Sequence, residues 1–389
     1  MQFPKGFLWG AATSAYQVEG GIVNNDWAQS RQVPKAGRAC DHYHRYSEDF
    51  AVAGQLQQNA HRLSLEWSRI EPQAGQWDEA ELRHYEEVLA LLKRMGFTTF
   101  VTLHHFTNPV WVARQGGWSA KKTIQNFADY VAKIAQSLGH LIDFWVTINE
   151  PNVYADLAYL RGRWPPFRKN FFLAWRAYRN LLLAHEAAYR VIHSYYPMAA
   201  VGFAQNFSWR EAAAENVLER LIIKLLNWLT FEYPYRRTSN DFLGVNHYMD
   251  IHLRLRLSWR GVQFEFGRHP GPATERGWAI HPHAIYQVLQ KLKTQGKPIY
   301  ITENGIADAA DKRRAAYIVG YLREVGRAIS DGAPVRGYFY WSLLDNFEWE
   351  DGYQWKFGLV EVDFKDAKLP RRIRRSARVY AEICKHNVV

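Results

Sequence analysis

Short runs of apolar and β-branched residues recur along the chain, each followed by a stretch whose apolar positions return at helical spacing. The runs are "FLWGAATS", "AHRLSLEW", "TTFVTLHHF", "DFWVTINE", "AAVGFAQNF", "DFLGVNHYM", "KPIYITEN" and "VRGYFYWSLL". Between them lie amphipathic segments such as "DEAELRHYEEVLALLKRMG", which ends on a glycine stop. Strands alternating with helices predict a parallel sheet, and eight strands close a (β/α)8 barrel, the TIM architecture. An open doubly wound sheet calls for a glycine-rich phosphate loop after its first strand, and "GAATSAYQVEGG" is not G-x-G-x-x-G. Nothing resembles a linker or a break in composition, so residues 1–389 are expected to form one domain.

Polar residues gather at the C-terminal ends of these strands: Gln17 with Glu19, His104 with His105, Asn149 with Glu150, Asn206, Asn246 with Tyr248, and Glu303 with Asn304. In a barrel those ends converge on the face that carries active sites. "VTINEP" and "IYITENG" each bring a glutamate, Glu150 and Glu303, to the end of a buried strand. Two carboxyl groups facing each other across a barrel mouth can cleave a glycosidic bond. One protonates the leaving oxygen while the other attacks the anomeric carbon or activates water. Spacing alone leaves open the plainer reading, in which each glutamate pairs with an arginine or caps the next helix.

Composition narrows the setting. Aromatic residues make up 15% of the chain, including 16 Trp, which suits a site that handles flat rings as well as an aromatic core. No run of about 18 uninterrupted apolar residues occurs, so no membrane span is expected. "MQFPKGFLWG" lacks the charged-then-apolar pattern of a secretion signal. Cys40 and Cys384 form no disulfide framework and suit a reducing cytoplasm. The net charge of +11 is concentrated partly in "KDAKLPRRIRRSAR". No nucleic-acid motif accompanies that run, so it reads as a solvated basic face. The histidines of "DHYH", "LHHF" and "HPH" lack an HExxH motif or a cysteine cluster, so no metal is expected.

The quoted motifs carry a resemblance as well. "FPKGFLWGAATSAYQVEGG", "LSLEWSRIEP", "TLHHFTNP", "TINEPN", "FLGVNHY", "YITENG" and "YWSLLDNFEWEDGY" run in order over nearly the whole chain. The sequence resembles glycoside hydrolase family 1, the β-glucosidase and β-galactosidase family of retaining enzymes, and "TINEP", "YITENG" and "WSLLDNFEW" together make the likeness specific. The resemblance implies that Glu150 is the acid/base and Glu303 the nucleophile, with Arg62 and Tyr248 touching the nucleophile. It implies that Asn149 binds the sugar 2-hydroxyl, that Gln17, His105, Glu348 and Trp349 clamp the other hydroxyls, and that Trp341 floors the ring. Asn246 joins them as a substrate contact. A small β-glycoside is the expected partner and no cofactor is expected; monomer and homo-oligomer stay equally open.

Departures from the family pattern qualify these expectations. His105-Phe106-Thr107 stands where the family commonly has His-Trp-Asp, which removes an indole N–H near the sugar. Asn246-His247-Tyr248 replaces Asn-Tyr-Tyr but keeps the tyrosine. The chain is shorter than typical members, chiefly between "FAQNF" and "DFLGVNHY", so the helix and rim loops between strands five and six are expected to be abbreviated and the aglycone side open. Trp164 and Trp278 are candidate aglycone walls. Two other readings stand beside a β-glucosidase. A 6-phospho-β-glycosidase usually replaces the glutamate of "NFEW" with a small residue, whereas Glu348 repels a dianion. A non-catalytic glycan-binding barrel is expected to lack one of the two glutamates, and both are present.

Overall fold

Eight parallel strands pair in sequence order and the eighth closes on the first. The computed structural model describes residues 1–213, 216–258, 261–267 and 269–389. The strands are β1 (Leu8–Ala12), β2 (Ala60–Ser64), β3 (Thr98–His104), β4 (Phe144–Asn149), β5 (Ala200–Asn206), β6 (Leu243–Asn246), β7 (Ile299–Asn304) and β8 (Val335–Trp341). Each of the eight expected runs holds one of them, so the predicted (β/α)8 barrel is the observed fold.

The principal helices packed outside are α1 (His42–Gln55), α2 (Glu79–Arg94), α3 (Lys122–Leu138), α4 (Phe171–Tyr195), α5 (Val217–Asn227), α6 (His283–Lys293), α7 (Arg314–Ser330) and α8 (Arg375–His386). α2 shows why such a segment is helical. The Asp78 carboxylate accepts from the amides of Ala80 and Glu81, acidic residues fill the first turn and basic ones the last, which complements the helix dipole. Its Leu82, Tyr85, Val88, Leu89 and Leu92 form one buried stripe.

Aromatic side chains fill the barrel interior. Phe100 stacks on Phe144 at 4.2 Å between ring centres and meets Phe339 at 4.6 Å and Tyr300 at 5.2 Å. Much of the aromatic content is therefore core, as the plainer reading of the composition held.

The barrel pairing slips at several places, on both edges of β7 among them, and two of the shifts bear on the site. The β4–β5 register shifts between Val146 and Asn149, and the β7–β6 register shifts between Ile301 and Glu303. Bulges of this kind turn side chains off the strict alternation of a strand. They lie at the C-terminal ends of the two strands that lead to Glu150 and Glu303.

The β5–α5–β6 connection holds the short strand Trp209–Ala212, α5, and the short helical segments Trp228–Glu232 and Tyr233–Arg237. Trp209–Ala212 pairs in parallel with Asp250–Ser258, which forms an antiparallel hairpin with Gly261–Gly267. This rim sheet is additional to the expected elements.

Candidate active site

A cavity of about 300 Å³ is lined by Glu150, Glu303, Asn149, Tyr248, His105 and Gln17 among others, with Trp341, Glu348 and Trp349 on its walls. Trp164 and Trp278 also border it. A larger open groove of about 710 Å³ along α5 shares none of these residues.

Three wall residues hold a left-handed backbone: Glu150 at φ 44°, Phe106 at φ 72° and Trp349 at φ 54°. Such conformations cost non-glycine residues of order 1–3 kcal/mol and collect at functional sites. At Glu150 the left-handed turn joins the end of β4 to Pro151, the first residue of the next short helix.

Arg62, on β2, is 1% exposed and organises the centre. Its Nη1 donates to Glu303 Oε1 at 2.6 Å and its Nη2 to Asn149 Oδ1 at 2.7 Å. Tyr248 donates to the other Glu303 oxygen, Oε2, at 2.6 Å. Because a guanidinium only donates, the Asn149 atom facing it is oxygen. Its Nδ2 therefore faces His105 Nε2, 3.2 Å away, and that nitrogen accepts. The proton of the His105 ring then sits on Nδ1, which is buried without a protein partner.

The same logic fixes Glu150. The Asn246 amide donates to Asn149 Oδ1 at 3.1 Å and to Glu150 Oε1 at 2.9 Å. Asn206 adds a second amide to Glu150 Oε1, also at 2.9 Å. With Oε1 accepting two N–H groups, a proton on Glu150 resides on Oε2. Burial, and then the charge of Glu303, raise the Glu150 carboxyl to about 7. Burial raises Glu303 as well, opposed by the Arg62 charge and the Tyr248 hydrogen bond. Burial pushes the Tyr248 phenol well above its ordinary value, with Glu303 adding to the effect, so it remains a donor. Burial likewise drives His105 well below its usual range, so the ring stays neutral.

Glu348 accepts from Trp341 Nε1 at 3.3 Å. Burial raises its carboxyl to about 8, against the pull of Arg276. Gln17 lines the cavity, but its amide already donates to Phe347 O at 2.7 Å and Asn346 Oδ1 at 3.2 Å. Asn246, expected as a sugar contact, is not part of the cavity wall. Its amide holds Glu150 and Asn149 instead.

Other polar strand-end residues serve the scaffold. Glu19 pairs with Arg69 at 2.9 Å, and His104 meets Asn108 at 3.2 Å. Asn304 donates to the His247 carbonyl at 2.6 Å and to Tyr317 at 2.9 Å. Sequence reasoning marked Asn206 as a strand-end residue without giving it a role. It passed over Arg276, which carries no motif and borders the cavity.

The sequence model of glycosyl hydrolase family 1 matches residues 1–229 and 224–389. The chain belongs to glycosyl hydrolase family 1. Among family 1 relatives, beta-glucosidase A of Thermotoga maritima is 32% identical, with 99% of this chain and 98% of that protein aligned. A beta-galactosidase of Sulfolobus acidocaldarius is 31% identical, covering 100% of this chain and 96% of that protein. The beta-glycosidase structure from Pyrococcus horikoshii superposes with a TM-score of 0.93 at 36% identity, over 99% of this chain and 95% of that one. The Thermotoga alignment spans 441 positions against 389 residues here, so this family 1 chain is the shorter. It is a glycoside hydrolase with β-glycosidase activity, and its β5–β6 connection keeps one principal helix, α5.

Proposed function

We propose that the chain is a retaining exo-β-glycosidase that hydrolyses β-glucosides, and also β-galactosides or β-fucosides, by double displacement. The observation that carries the reading is the chain of contacts Glu303–Arg62–Asn149–Asn246–Glu150, which ties both carboxyl groups into one buried network. In the first step Glu150 Oε2 protonates the glycosidic oxygen while Glu303 attacks the anomeric carbon. Arg62 and Tyr248 favour the ionised form of Glu303. Forming the glycosyl ester removes the Glu303 charge, and with it one of the two influences that raise Glu150. Glu150, already a carboxylate after giving its proton to the leaving group, takes a proton from the incoming water, whose oxygen bonds to the anomeric carbon as the ester bond to Glu303 breaks. A second inversion restores the β configuration.

His105, Gln17, Glu348, Trp349 and Asn149 are the proposed sugar contacts, with Trp341 beneath the ring. A cavity of about 300 Å³ lies at the small end of ligand pockets and suits one terminal sugar. The names of the relatives, β-glucosidase and β-galactosidase, support the range of substrates. Cys40 and Cys384, both buried and outside any disulfide, support a cytoplasmic setting. Among the described residues no helix is long and apolar enough to cross a membrane.

NMR of the first-formed product from p-nitrophenyl β-glucoside tests the stereochemistry. The β-anomer is expected before mutarotation, and an initial α-anomer refutes double displacement.

A further inference from the structure

The rim sheet begins with Asp250, two residues beyond Tyr248, and gathers histidines from three separate segments. His252 lies two positions along the same strand, His269 follows the return strand, and His281 precedes α6. The Asp250 side chain is 0% exposed. Its Oδ2 lies 2.8 Å from His281 Nδ1, and its Oδ1 is buried with no hydrogen-bond partner. The His269 ring stacks on His281 at 3.9 Å between centres. His252 turns its Nε2, also buried without a hydrogen bond, toward the same carboxylate at 3.7 Å and toward Glu211 at 3.6 Å. One ligand atom from each of Asp250, His269 and His281 falls within 4.8 Å of the others.

A buried carboxylate oxygen without a partner costs roughly 1–3 kcal/mol or more, so the arrangement calls for a group that would satisfy it. His269 Nδ1 faces the Pro270 carbonyl at 2.7 Å and donates to it. That leaves the lone pair on Nε2, the tautomer that a carbonyl behind a ligating imidazole imposes. We propose that Asp250, His269 and His281, with His252 as a fourth donor, bind a divalent transition metal of the zinc type. Imidazole nitrogens and one carboxylate form a set that zinc accepts in tetrahedral geometry, with bonds of about 2.0–2.2 Å. Binding replaces the present His281–Asp250 hydrogen bond and draws the ligand atoms inward by small shifts. The segment between His269 and His281 carries Arg276 and Trp278 into the cavity wall. The metal therefore fastens that wall to the rim sheet, outside the glycosidic chemistry.

Chelator-treated full-length protein would be titrated with Zn²⁺ by calorimetry and with Co²⁺ by visible absorption. One equivalent is expected to bind, with the intense bands of tetrahedral Co²⁺ and a raised melting temperature. His269→Ala removes a half-buried side chain and should leave the fold intact while weakening binding at least about tenfold; Asp250→Asn should do the same. His84→Ala, distant from the site, should bind like the wild type. Absence of stoichiometric binding, weak octahedral bands only, or undiminished affinity in His269→Ala overturns the assignment.

Discussion

At the scale of single residues, hydrogen bonds divide the labour between two like carboxyl groups. Glu303 has a donor on each oxygen, one of them a guanidinium, whereas both donors to Glu150 share one oxygen and are neutral amides. In the proposed mechanism Glu150 is the acid, and its carboxyl is raised to about 7, so kcat/KM for substrates needing acid assistance should fall as pH rises through about 7. The Asn206 amide favours the ionised form and lowers that value. Asn206→Ala should therefore move the alkaline limb up by about one unit, read from kcat/KM against pH. An unmoved or lowered limb contradicts the role given to Asn206. The sequence showed the two glutamates and Arg62 because strand ends and motifs mark them. It did not show which oxygen of Glu150 carries the proton, since that depends on Asn206 and Asn246 arriving from two other strands.

Among the elements, the β4 and β7 bulges aim the site. Strict alternation from Val146, which faces the barrel interior, turns Asn149 away from the Arg62 network it joins. The shifts that bring Asn149 and Glu303 inward left no mark in the pattern of apolar and polar positions. The rim hairpin was legible, because "HLRLRLS" and "VQFEFG" alternate strictly, but its residues carry no part of the eightfold repeat that organised the reading. Gly305, directly after β7, shows how tightly the strand ends fit. A Cβ there would lie 1.9 Å from the Trp341 carbonyl oxygen, and backbone at that distance must move. Gly305→Ala should therefore destabilise the protein by about 3 kcal/mol and lower activity by displacing Trp341. Urea unfolding and kcat/KM measure both effects; a variant equal to wild type in each contradicts the fit described.

Considered whole, the barrel was legible because eight repeats of strand and helix leave few ways to close a sheet. The shape of the rim was less so, because it depends on contacts between distant loops such as Arg276 with Asp351 at 2.6 Å. Gathering buried acids at the mouth also sets how stability varies with pH. Burial raises Glu348 from 4.5 to about 8, Glu150 from 4.5 to about 7 and Asp26 from 3.8 to about 7. Between the lower and upper values the folded state holds protons that the unfolded chain has released, so these groups lower stability as pH rises through that window. Glu348→Gln removes one such group. Its melting temperature should match wild type at pH 4.5 and exceed it increasingly up to about pH 8; a lower melting temperature than wild type at pH 8 contradicts the assigned cause.

The proposed chemistry passes through a covalent ester on Glu303. An activated 2-deoxy-2-fluoro-β-glucoside slows both steps but leaves formation of the ester faster than its hydrolysis, so the intermediate accumulates. Mass spectrometry of the inactivated protein, followed by peptide mapping, should find one fluoroglucosyl group per chain on the peptide bearing Glu303, with none on Glu303→Gly. A label on Glu150 or elsewhere, or turnover with no labelled species, would contradict the mechanism.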